Sequence, residues 1–185
     1  AKAGSVGELS KTPAYRLGAF TLFAAVAVIL AALGFEHILG YRPCALCLQQ
    51  RYAYYIAIPG LFLCLVLLAT ERIRWGATLF LVISFLFLLN AGLGVYHAGA
   101  EWKFWPPPET CGGKLATLGS GSGGVLAKLN QTRVVLCDEA PWRFLGLSFA
   151  GWNVAMSLLL WITSIQAAFA TASVVRLEKR LGSVA

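Results

Sequence analysis

Four stretches of this chain run for nineteen residues or more without a charged side chain, and that feature decides which solvent the fold must suit. An α-helix rises ~1.5 Å per residue, so each stretch can cross the ~30 Å hydrocarbon core of a bilayer. The stretches are Leu17–Phe35, Tyr52–Thr70, Gly76–Tyr96 (with Ser84 and Asn90 inside it) and Phe149–Val175. Composition agrees. The chain is 58% hydrophobic and only 12% charged, whereas soluble domains are roughly half apolar and about a quarter charged. The expectation is an all-α membrane protein, a four-transmembrane-helix bundle. The first stretch is too long for a signal-peptide core of ~7–15 residues, and no cleavage site is followed by a polar mature start. It is read as a retained span.

The connections divide the rest. Residues 1–16 form a polar N-terminal segment, 17–175 the membrane domain and 176–185 a C-terminal tail. Only Glu71-Arg72-Ile73-Arg74-Trp75 joins spans two and three, whereas loops 36–51 and 97–148 hold four of the five cysteines. An even number of spans puts both termini on one side and both cysteine loops on the other. Basic residues flank the loop-free side at Lys11, Arg16, Arg72, Arg74, Arg176, Lys179 and Arg180. The cysteine loops hold nearly as many, but the long loop dilutes them with Glu101, Glu109, Asp138 and Glu139. The positive-inside tendency then predicts cytoplasmic termini and periplasmic cysteine loops, in a compartment that permits disulfides.

A formal charge of +7 does not imply nucleic acid here. The basic residues sit at the ends of apolar runs, where they meet lipid headgroups, and form no patch with interleaved aromatics. Trp102, Phe104 and Trp105 before Pro106-Pro107-Pro108 suit an interfacial exit from span three. Gly112-Gly113 and the glycine-serine run 119–124 punctuate the long loop, and Val125–Leu129 reads as a short apolar helical turn.

The chemistry concentrates in Arg42-Pro43-Cys44-Ala45-Leu46-Cys47-Leu48-Gln49-Gln50-Arg51. Proline suits the first turn of a helix. A second helix starting near Pro43 puts both cysteines in its first turn on one face, with Arg51 following on that face. Unpaired backbone N–H groups and the helix dipole stabilise thiolates there. A C-x-x-C also serves zinc and iron–sulfur sites, but no second C-x-x-C follows, which favours a redox pair without metal. Cys111 lies between Pro-Pro-Pro-Glu-Thr and Gly-Gly, and Cys137 precedes Asp138-Glu139. A disulfide in that loop is open to an incoming thiol or simply staples the loop, and spacing leaves both readings standing. Cys64, inside an apolar run, reads as a small buried hydrophobe. Asn90 reads as a helix–helix contact, while His37 is either a cofactor contact or an interfacial hydrogen bonder.

The stretch His37-Ile38-Leu39-Gly40-Tyr41-Arg42-Pro43-Cys44-Ala45-Leu46-Cys47 with Arg51, and the later Trp142-Arg143-Phe144-Leu145-Gly146-Leu147-Ser148, resemble the DsbB family of membrane disulfide oxidases. The resemblance runs from the first span to the fourth. It implies a quinone-dependent enzyme of the bacterial inner membrane. Cys111 and Cys137 would form an outer disulfide that reoxidises a DsbA-like thioredoxin-fold protein, with Cys111 attacked first. Cys44 and Cys47 would reoxidise that pair, with Cys47 the thiolate facing the quinone (ubiquinone or menaquinone). Arg51 would hold a quinone carbonyl, and His97 would lie near the ring. The vitamin K epoxide reductase type also couples C-x-x-C to a quinone, but places that motif late in the chain. A non-enzymatic membrane scaffold with structural or metal-bound cysteines is the other reading.

Overall fold

The computed structural model describes residues 12–106, 108, 137, 140 and 142–182, with side chains of the last helix to residue 176. Helices α1 (Pro13–His37), α2 (Ala45–Ala69), α3 (Ile73–Glu101) and α4 (Phe149–Gly182) form the bundle. Each has a segment long and apolar enough to cross a membrane. Inside a bilayer no water can satisfy backbone N–H and C=O groups, so apolar segments of this length are confined to helices. Consecutive helices run antiparallel and pack side by side. α4 closes the ring against α1 and makes its most extensive contact with α3.

The helices reach beyond the uncharged runs. α2 starts seven residues before Tyr52 and α3 continues five residues past Tyr96. Residues 97–101, expected in a loop, are therefore helical, and residues 45–51, counted with the first loop, form the helix start that Pro43 suggested. Three polar residues in these extensions, Gln50, His97 and Glu101, turn inward and are buried, while Gln49 faces outward. α4 likewise runs to Gly182, past the expected tail boundary at residue 176. Residues 1–11, the glycine-rich stretches and the turn expected at Val125–Leu129 lie outside the described residues.

The interior carries the usual membrane signature of small residues and polar pairs. Ala25, Ala57 and Ala167 are fully buried among Leu61, Phe80, Phe87 and Leu160. Gly94 lets α3 approach α4 closely, since a Cβ there would meet Val154 Cγ2 at 2.8 Å. Asn90 donates to Ser157 Oγ (2.9 Å) and Asn153 Oδ1 (3.3 Å) on α4, and the Tyr54 hydroxyl donates to the same Asn153 oxygen (3.1 Å). The phenylalanines of α3 divide by helical phase: Phe80 and Phe87 face inward, and Phe85 outward. Phe23, Phe62 and Ile56 also lie outside. Facing lipid, they have nothing to hide from.

At the cysteine end, Arg143–Phe144 and Leu147–Ser148 pair as a short antiparallel hairpin, β1 and β2. Leu145 (φ 53°) and Gly146 (φ 82°) both occupy the left-handed region, as the tight two-residue hairpin turn requires. The hairpin leads directly into α4. Trp142 stacks on Phe149 (centroids 4.9 Å apart) and on Phe144 (5.7 Å), and Phe35 of α1 joins the cluster at 5.1 Å from Trp142.

Candidate active site

Cys44 is the N-cap of α2. Its sulfur accepts the backbone N–H of Cys47 at 3.1 Å, the role a serine oxygen commonly plays. Pro43 therefore stands just before the cap, one step outside the first turn where the sequence suggested it. Cys44 is buried, and its thiol is pulled down from the ordinary 9.0 to about 5. The hydrogen bond from the Cys47 side chain is the largest cause. Burial acts against it, and the His97 hydrogen bond and charge and the Cys47 backbone N–H add to the lowering.

His97, 2% exposed, is fixed from both sides of its ring. Nε2 lies 3.6 Å from Cys44 Sγ, and Nδ1 lies 3.1 Å from the Gln50 amide nitrogen. An amide nitrogen only donates, so Nδ1 accepts and the ring proton sits on Nε2, toward sulfur. The sulfurs of Cys44 and Cys47 and one His97 nitrogen all lie within 4.8 Å of one another. One turn along α3, Glu101 Oε1 lies 3.7 Å from His97 Nε2.

Arg51 is not a lone cation. It pairs with Glu36 of α1, and its Nη2 donates to the Ala32 carbonyl at 3.4 Å. Both side chains of the pair are largely buried, which is tolerable because each charge has a partner. Together these groups open on a cavity of about 400 Å³. Phe35, Tyr41, Trp142, Phe144, Phe149 and Trp152 wall it, while Cys44, Cys47, Gln50, Arg51, His97 and Glu101 supply its polar edge. A mostly apolar pocket of that size with a few convergent polar groups is the usual form of a small-molecule site.

The second cysteine pair is half described. Cys137 is 1% exposed, disulfide-bonded, and packed with Cys44 and Leu46. Cys111 lies outside the described residues. Thus Cys44, Cys47, Arg51 and His97 gather around one cavity, with Cys137 against its cysteine edge. Cys64 stays apart, a free thiol buried near Gly76 at the opposite end of the bundle. His37 is exposed and does not line the cavity. Sequence reasoning missed three residues here. Gln50 passed as part of a loop, Glu36 as its first residue, and Glu101 as diluting charge. The four-residue spacing from His97 to Glu101 was the available signal for the last.

Two cysteines held at a helix N-terminus, with the Cys44 thiol rather than that of Cys47 pulled down, and enclosed beside a third, disulfide-bonded cysteine, are arranged for exchange between sulfurs. The class of protein this defines is a membrane-embedded thiol–disulfide oxidoreductase. Residues 15–167 match the family described as "Disulfide bond formation protein DsbB", and the chain belongs to that family. Three similar curated proteins are each called "Disulfide bond formation protein B". That of Paracidovorax citrulli is 28% identical, covering 78% of this chain and 83% of its own. That of Albidiferax ferrireducens is 28% identical over 86% and 89% of the two chains, and that of Verminephrobacter eiseniae 30% identical over 82% and 84%. No solved structure matches the chain.

Proposed function

We propose that this protein reoxidises a periplasmic DsbA-like thioredoxin-fold dithiol protein and passes the electrons through Cys111–Cys137 and then Cys44–Cys47 to a membrane quinone. It would do so in a bacterial inner membrane, with both termini cytoplasmic. The observation that carries the reading is the double position of Cys44. On one side it packs against disulfide-bonded Cys137, and on the other it opens with Cys47 onto the apolar cavity.

The residues present suit a quinone. A planar ring fits between aromatic walls, an apolar tail is compatible with lipid, and the polar groups converge at one edge of the cavity. When bound, ubiquinone or menaquinone supplies an acceptor for two electrons and two protons, matching dithiol oxidation, so this chemistry needs no metal.

The protein's own part would be a series of exchanges between sulfurs. A partner thiolate attacks Cys111, forming a mixed disulfide and releasing Cys137 as thiolate, and the partner's second thiol then breaks that mixed disulfide, so the partner leaves oxidised and Cys111 is freed. Cys137 then attacks Cys44, the sulfur it packs against, and releases Cys47, after which Cys111 attacks Cys137, reclosing the outer disulfide and releasing Cys44. The capping N–H and His97 hold the released Cys44 as thiolate. Cys47 borders the cavity where electrons would leave. Arg51, already neutralised by Glu36, contributes hydrogen-bond donors more than bare charge.

The test is turnover of purified protein with a reduced thioredoxin-fold partner and ubiquinone or menaquinone, followed by quinone absorbance. Cys44→Ser and Cys111→Ser should each abolish it. Folded protein that turns over neither quinone points to the scaffold reading, which one observation favours. Cys44, Cys47 and His97 offer two sulfurs and a nitrogen at a spacing that a zinc ion could draw together. Stoichiometric zinc in the isolated protein would mark that outcome.

A further inference from the structure

Glu101 is a buried carboxyl that the relay leaves without a task. Its side chain is 3% exposed, one helical turn past His97, and it lines the same cavity as Cys47 and Arg51. Among the described residues its Oε2 has no partner within hydrogen-bonding geometry, although the Ser148 side chain acts on the carboxyl as a donor. The groups that act on it are His97 from its own helix, Cys44 and Cys47 from the start of α2, and Arg143 and Ser148 from the hairpin. A buried carboxylate oxygen without a donor is costly, and a proton on it removes most of that cost.

The imidazole supplies the connection. His97 Nε2 lies 3.6 Å from Cys44 Sγ and 3.7 Å from Glu101 Oε1, so one N–H faces two acceptors at nearly equal range. A Cys44 thiolate claims that N–H. Once Cys44 enters a disulfide its negative charge is gone, and an ionised Glu101 becomes the better acceptor.

Building on the relay above, we infer that Glu101 is the proton store of the Cys44–Cys47 pair. It holds the proton released when Cys44 ionises, while the His97 N–H turns to the thiolate, and yields that proton toward the cavity when the disulfide closes. The balance is complete. The reduced site holds a Cys44 thiolate, a Cys47 thiol and a protonated Glu101. Closing the Cys44–Cys47 bond sends two electrons to a quinone acceptor with two protons, one from Cys47 and one from Glu101. What remains is a disulfide and a Glu101 carboxylate hydrogen-bonded to His97. Glu101 is thus a positioning and proton-holding residue, with sulfur as the reacting atom.

The experiment is the infrared difference spectrum of quinone-free protein in detergent, oxidised against dithiothreitol-reduced. Reduction should create a protonated-carboxyl C=O band that shifts in D2O, is missing in Glu101→Gln, and returns displaced in Glu101→Asp. Should Glu101→Gln lose its helical circular dichroism, the displaced band of Glu101→Asp makes the assignment alone. No carboxyl band on reduction, or one unaltered in both variants, overturns the inference. Thiol counts on the same samples separate the two failures. If Cys44 and Cys47 do not cycle between thiols and disulfide, the relay reading falls too. If they cycle without the band, the proton store alone is wrong.

Discussion

As the cap of α2, Cys44 must accept a hydrogen bond from Cys47 N–H, and a thiolate accepts far better than a thiol. The lowered thiol therefore links redox state to pH. Its folded value, about 5, lies below the ordinary 9.0. The thiolate's stabilisation of the reduced fold is complete above pH 9.0, shrinks as pH falls through that window and is gone below about 5. Stabilising the reduced form makes the Cys44–Cys47 disulfide the stronger oxidant near neutrality. Titration by thiolate ultraviolet absorbance should show the Cys44 midpoint rising most in Cys47→Ala. His97→Ala should raise it by roughly one to two pH units, the worth of a charge-assisted hydrogen bond. An unmoved midpoint in both variants would refute this account of the acidity. Arg51 invites a separate test. Arg51→Lys retains charge but loses the planar fork that can serve Glu36, Ala32 and a cavity ligand together. The KM for quinone should rise about tenfold or more, equal to roughly 1.4 kcal/mol, while the KM for the protein partner stays put.

Two local features of the helices and the hairpin give opposite expectations for stability. At Gly94 a new Cβ would meet Val154 Cγ2 at 2.8 Å and Asn153 Nδ2 at 3.2 Å. Val154 is β-branched and has few rotamers to escape into. Gly94→Ala should thus push α3 from α4, strain the Asn90–Asn153–Tyr54 network, and cost about 1–3 kcal/mol in detergent unfolding. Leu145 is the reverse case, an exposed leucine in the left-handed region beside Gly146. Leu145→Gly should stabilise by about 1 kcal/mol, because the strain there has no burial to balance it. The same elements show what was legible beforehand. Four spans follow from charge-free runs, because lipid leaves a long apolar segment few alternatives. Their ends do not, because Glu36 and Arg51 neutralise each other across α1 and α2, so polar sequence continues as helix. Cys44, Cys47, Arg51 and His97 stood out through motif and resemblance. The burial of Cys137 did not, since the adjoining Asp138-Glu139 give it a polar, exposed context in sequence.

At the scale of the whole molecule, function depends on sidedness. The cavity, Cys44 and Cys47 at the start of α2, Cys137 and the hairpin lie at one end of the bundle, and the α2–α3 turn with Arg72 and Arg74 lies at the other. Only one orientation lets this arrangement work as an oxidase. Incoming thiols must reach the cysteine end from a compartment where substrate proteins are being oxidised, and reduced cytosol would short-circuit the relay. Aromatic residues mark both ends, with Trp75 at one and Trp102 and Phe104 at the other, all exposed where headgroups would be. They fix depth and say nothing of direction, which rests on the basic residues. Alkaline phosphatase decides the matter directly, because it needs its own disulfides to become active. Fused after Thr70 in a bacterial host, it should be inactive, and fused after Trp105 it should be active, with a fluorescent-protein fusion at residue 185 bright in the cytoplasm. The mirror pattern would place the thiols against the reducing compartment and remove the proposed relay, whatever the geometry of the site.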